Sequence, residues 1–104
     1  MAERQSRCEM LLSWFIPVIL MCAFEPNEIH HCDEHTEKVQ RYELAPIQKF
    51  KIIENQPEIE VPITTPMLCL AAGTTKLVEE FDAFQKANPK KDIEFRIVCR
   101  HEKA

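Results

Sequence analysis

The chain of 104 residues has one glycine, two serines and no C-x-x-C pair. With Gly73 as the single glycine, phosphate sites built on Gly-rich loops are excluded, and any turn needing φ > 0 must use another residue such as Asn. The serines, Ser6 and Ser13, both fall in or before the first apolar run, so serine catalysis has almost no material. Without C-x-x-C there is no basis for a thioredoxin-like dithiol enzyme. Basic residues are not in excess either: the net charge is −4. The densest basic spots, Lys90–Lys91 and Arg96/Arg100, sit among acids such as Asp92 and Glu94. No basic stripe exists to displace counterions, so nucleic acid is not an expected partner.

Apolar residues make up 45% of the chain and charged residues 29%, which suits one packed domain with an ordinary surface. The longest apolar run is Met10 to Phe24, MLLSWFIPVILMCAF, interrupted only by Ser13 and carrying Pro17 at its middle. Arg4 and Arg7 precede it, offset in part by Glu3 and Glu9, and an acidic stretch from Glu25 to Glu37 follows. A positive leading side and a short apolar core match a secretory signal peptide or membrane anchor over residues 1–25. Ala23 would be the last residue removed. The other reading is a helix over residues 10–24, buried in the protein's own core or in a partner.

Residues 26–45 form a polar segment with a helical stripe of Ile29, Cys32, Val39 and Tyr42, which predicts a helical linker. Residues 46–104 then predict a small α/β domain. Ile47–Ile53 and Glu58–Ile63 predict a hairpin across Glu54-Asn55-Gln56-Pro57. Its register would oppose Ile52 to Ile59, Phe50 to Val61 and Lys51 to Glu60. The continuous run Met67–Ala72 reads as a strand covered on both faces. Gly73-Thr74-Thr75 would cap a helix over Lys76–Asn88, where free N–H groups could also meet an anion. Leu77, Val78, Phe81 and Phe84 share one face of that helix, Asp82 and Lys86 form an i,i+4 pair, and Pro89 ends it. Asp92–Cys99 alternates cleanly, with Ile93, Phe95, Ile97 and Cys99 on one face. The fold expected is therefore α+β: a small mixed sheet with a hairpin plus one βαβ unit, preceded by an N-terminal apolar helix.

The chemistry-bearing residues cluster in His30-His31-Cys32-Asp33-Glu34-His35. Cys32-x-x-His35 and Cys99-x-His101 supply the thiolates and imidazoles of a tetrahedral zinc site, with His30 and His31 as alternates. Zinc is therefore the one cofactor to consider, and it would help so small a domain stay folded. Five cysteines, at 8, 22, 32, 69 and 99, leave the redox compartment open. The carboxylates show no pairing that demands acid–base chemistry, so no catalytic residue is nominated. The function expected is a non-enzymatic interaction protein, secreted or membrane-anchored, that recruits a protein partner at an open sheet edge, at residues 47–53 or 92–99. Membrane contact would run through residues 10–24. The alternative is a small intracellular complex subunit or zinc-stabilised domain.

Overall fold

Residues 13–24 of the apolar run that the sequence sets apart form the central strand of a three-stranded sheet. In the computed structural model, which describes residues 13–51 and 53–103, Ser13–Phe24 forms a 12-residue strand, β1. No apolar N-terminal helix is present among the described residues, and residues 1–12 lie outside them. The described strands and the helix make an α+β fold. After β1 come β2 (Gln40–Glu43), β3 (Ile47–Phe50), β4 (Ile59–Pro62), the helix α1 (Pro66–Ala87) and β5 (Asp92–Lys103).

β1 lies between β2 and β5 in a three-stranded sheet, antiparallel to both. It pairs with β5 along its whole length, from Ser13 opposite Lys103 to Phe24 opposite Asp92. A strand with neighbours on both sides and cover on both faces must be apolar at successive positions, which accounts for the unbroken run. Val18, Ile19, Leu20, Met21 and Cys22 are all buried. Odd-numbered residues face α1: Ile19 and Met21 pack with Leu77 and Phe84, and with Tyr42, Phe81, Ile93 and Ile97 around them. Even-numbered residues Val18, Leu20 and Cys22 pack with Cys32, Val39 and Val98 on the opposite face.

Pro17 survives in this central strand because its missing N–H is not needed. The Phe15 N–H donates to the Ile63 carbonyl and the Pro17 carbonyl accepts from the Leu44 N–H, both on the β2 side. The backbone of these residues thus points away from β5, and β2 itself reaches only Val18.

The expected βαβ unit is not formed. Met67–Ala72 is not a strand but the first turns of α1, which runs for 22 residues. Pro66 sits in the first turn, and the Thr65 hydroxyl, at the N-cap, accepts from the Leu68 N–H at 3.1 Å. Gly73 and Thr75 are therefore mid-helix, and Thr75 donates to the Ala71 carbonyl, so no helix N-terminus exists there to hold an anion. Gly73 has a packing reason: a Cβ at this position would lie 2.7 Å from Ile97 Cγ2, so the helix can approach β5 only without one. Asp82 and Lys86 do pair, at 3.0 Å, and Asn88 closes the helix with its N–H on the Phe84 and Gln85 carbonyls.

The sheet is also not mixed. Every pairing is antiparallel among the described residues, and the hairpin β3–β4 is a separate two-stranded sheet. Its register is displaced by two residues from the expected one: Phe50 opposes Ile59 and Lys49 opposes Glu60. A shift of two keeps every side chain on its own face, so the apolar alternation could not distinguish the two registers. Ile52 lies outside the described residues.

Residues 26–45 hold turns and a strand rather than a helix. The stripe that suggested one does not face a core, since Ile29 is 97% exposed while Cys32 is buried. Turns with positive φ occur at Asn27, Lys38, Asn55 and Lys90, as expected where glycine is scarce.

Two disulfides staple the fold. Cys22 of β1 is joined to Cys32 in the following loop, and Cys69 of α1 to Cys99 of β5. Cys8 lies outside the described residues.

Candidate functional site

The residues considered for zinc are not brought together. Cys32 and Cys99 have spent their sulfurs in different disulfides, so neither offers a thiolate. They also lie on opposite sides of the sheet, Cys32 with the even-numbered face of β1 and Cys99 against the helix side with Cys69. His35 is exposed, and its N–H donates to the Asp33 carboxylate at 2.8 Å. That hydrogen bond is the main reason the Asp33 carboxyl is held below its ordinary range. Of the alternates, His31 lies 3.0 Å from Asp33. His30 stacks on Phe24 and reaches Asp92 at 3.2 Å and Glu94 at 3.3 Å. Among the described residues no group of three or more potential ligands converges on one point.

His101 has a different partner, one that no sequence pattern announces. Its Nε2 lies 2.6 Å from the Ser13 hydroxyl, and its ring stacks on Phe15. The strand register explains this, because Phe15 stands opposite His101 across the β1–β5 ladder. Ser13 also lines an apolar groove of about 290 Å³ with Trp14, Pro46, Ile47, Pro62 and Thr64. A serine–histidine contact needs an acid on the far ring nitrogen and donors for an oxyanion before it can transfer an acyl group. Neither is present in the hydrogen bonds of His101 and Ser13 among the described residues. The contact joins Ser13 of β1 to His101 of β5 at one end of the sheet.

The feature with most surface to offer is the outer edge of β5. Among the described residues it is a terminal strand of its sheet, and it runs for 12 residues. Because Phe15 and Pro17 turn their backbone toward β2, the even-numbered residues of β1 bond to β5. In an antiparallel ladder the backbone groups of one strand alternate in direction. The N–H and C=O groups of Ile93, Phe95, Ile97 and Cys99 therefore point outward, away from β1. Their side chains, being odd-numbered, lie on the helix side of the sheet.

Beside that edge runs an apolar flank of α1. Met67, Leu70, Val78 and Phe81 recur at spacings of three, eight and three, which places them on one side of the helix. Phe81 meets Phe95 edge-to-face, with ring centroids 6.5 Å apart. Met67, Leu70, Val78 and Phe95 are 79%, 50%, 69% and 52% exposed. The other flank of the helix is occupied: Lys76 lies over the Tyr42 ring and pairs with Glu80, which accepts from the Tyr42 hydroxyl. Burial, with Glu80 beside it, raises the Tyr42 hydroxyl above its ordinary pKa.

On the face away from the helix, β5 presents Glu94, Arg96, Arg100 and Glu102. Arg100 pairs with Glu43 of β2, reaching over the central strand near Val18. This contact holds the Glu43 carboxyl below its ordinary range and raises Arg100. Arg96 has no ion-pair partner among the described residues.

The two disulfides are compatible with an extracellular protein. No described helix is long and apolar enough to cross a membrane. No known protein family matches the chain, and no curated protein or solved structure matches it significantly.

Proposed function

We propose that this is a non-enzymatic interaction protein of the secretory pathway that binds an extended segment of a protein partner along the outer edge of β5, which no strand pairs among the described residues. The observation that carries this reading is the juxtaposition of that edge with exposed apolar residues. An unpaired strand is a template for another strand, and most proteins blunt such edges. Here the edge is long and is bordered by Phe95, Leu70 and Val78. In strand addition, backbone hydrogen bonds supply affinity and neighbouring side chains supply selectivity. The two disulfides support an oxidising compartment.

A photo-crosslinking residue at position 95 in the full chain tests the reading, with the same residue at position 86 as control. Lys86 is exposed, on a different part of the helix. Adducts from position 95 and none from position 86 are expected. No adduct from 95, or equal capture from both, contradicts the reading. Recovery of the chain from the secreted fraction with Cys22–Cys32 and Cys69–Cys99 oxidised is the matching result for compartment. Recovery only from the cytosol with free thiols would overturn that part.

A further inference from the structure

We infer that the segment received by the β5 edge, on the reading just proposed, is β5 of a second copy of this chain, in an antiparallel pair centred on Phe95. A two-fold axis normal to the sheet joins two such edges into one continuous six-stranded layer with both helices on the same side. That symmetry opposes only residues of equal parity, so the possible registers can be compared one by one.

Centring on Arg96 sets Arg96 against itself. Centring on Val98 sets Arg96 against Arg100 and Glu94 against Glu102. Centring on Ile97 brings Glu94 opposite Arg100 but also Asp92 opposite Glu102. Centring on Cys99 brings Arg96 opposite Glu102, yet places Phe95 opposite Lys103 and Ile97 opposite His101. Like charges directly opposite one another are destabilising, and mismatched apolar positions forfeit packing.

The register centred on Phe95 opposes no like charges within β5, and its one mismatched pair there is Asp92 opposite Val98, on the face away from the helices. On the helix side Phe95 meets its own copy, and Ile93 meets Ile97 twice. On the other face Glu94 meets Arg96 twice, which gives Arg96 the partner it lacks among the described residues of its own chain. The backbone agrees, since Ile93, Phe95 and Ile97 point their N–H and C=O groups outward and would exchange them with the same residues of the copy. The half-exposed Phe95 and its edge-to-face neighbour Phe81 would lie at the centre of the contact.

Sedimentation of the full oxidised chain tests the pairing through charge exchange. The native chain is expected at twice its 12.2 kDa mass at high concentration. Arg96→Glu alone and Glu94→Arg alone each place two pairs of like charges in the contact. Each should raise the dissociation constant at least about tenfold. An equimolar mixture of the two variants should return to twice the mass. In the mixed pair, one chain carries glutamate at both positions 94 and 96, and it faces arginine at both positions of the other. Circular dichroism checks that each variant is folded, and the mixture corrects for any loss from the Glu94 contact with His30. A native chain that stays monomeric, or a mixture that does not associate, overturns self-pairing. The photo-crosslinker at position 95 separates the two claims: an adduct with another protein leaves the edge reading standing without self-pairing, while no adduct removes both.

Discussion

The two edges of the central sheet are built differently. β2 offers four residues, Gln40–Glu43, and its neighbourhood is crowded: Tyr42 is tied to Glu80 and Lys76, and Arg41 approaches Glu34 and Glu43. β5 offers 12 residues, with apolar and charged side chains alternating from Asp92 to Ile97, and is bordered by an exposed apolar helix flank. Short, charged edges resist unwanted pairing, whereas long edges with apolar borders invite it. On the proposed reading, one side of the sheet is protected and the other receives a strand.

The largest expected effect on that contrast comes from the disulfide that holds the open edge in place. Cys69–Cys99 closes a loop of 30 residues between α1 and β5, and Cys22–Cys32 closes one of 10. By loop-closure entropy, replacing Cys69 and Cys99 with serine should cost about 4 kcal/mol, and replacing Cys22 and Cys32 about 3 kcal/mol. Urea denaturation of the paired variants measures the difference. A reductant should lower the melting temperature of the native chain, whereas a chelator should leave it unchanged.

Gly73→Ala acts at the close approach of α1 to β5. The added methyl meets Ile97 at 2.7 Å, and the resulting displacement should cost about 1–2 kcal/mol despite the better helix propensity of alanine. A thermal melt reads this directly. If Gly73→Ala is as stable as the native chain, the helix does not sit against β5 as described.

Acid should produce a smaller change, at the ion pair that links the two edge strands. Arg100 lowers the Glu43 carboxyl from its ordinary 4.5. A depressed folded value contributes stability that is fully present above pH 4.5 and disappears as pH falls through the lower folded value. Glu43→Gln should flatten this part of the stability–pH profile, as followed by denaturation at stepped pH. An unchanged profile would show that the pair does not couple β2 to β5.

Much of the β5 side is legible in the sequence and much of the β1 side is not. Alternation from Ile93 to Ile97, continued on the same face by Cys99, identifies a half-buried strand because period two has no helical counterpart. The hairpin is visible for the same reason, although its register is ambiguous by two residues. The run around Val18–Cys22 carries no period at all, since a strand buried on both faces needs none. Its length and its charged flanks match a signal or anchor equally well. Met67–Ala72 misleads because its apolar residues divide between the core and the exposed flank of α1. Thr65 and Pro66 mark the true helix start. The zinc candidates fail on pairing: Cys22, Cys32, Cys69 and Cys99 form two disulfides, and sequence spacing does not determine connectivity. Alternation marks residues 92–99 as a strand but leaves the edge open between 47–53 and 92–99; the strand order places β5 at the end of its sheet among the described residues. The helix flank beside it becomes visible only once Met67 and Leu70 are placed on the same helix as Val78.

Residue-resolved amide exchange, in dilute and in concentrated protein, tests the inequality of the two edges most directly. Phe95 and Ile97 should exchange rapidly when dilute and become protected when concentrated, while the outward amides of Arg41 and Glu43 stay fast at both. Phe95 and Ile97 amides that remain unprotected at every concentration, or Arg41 and Glu43 amides gaining protection in their place, would contradict the account.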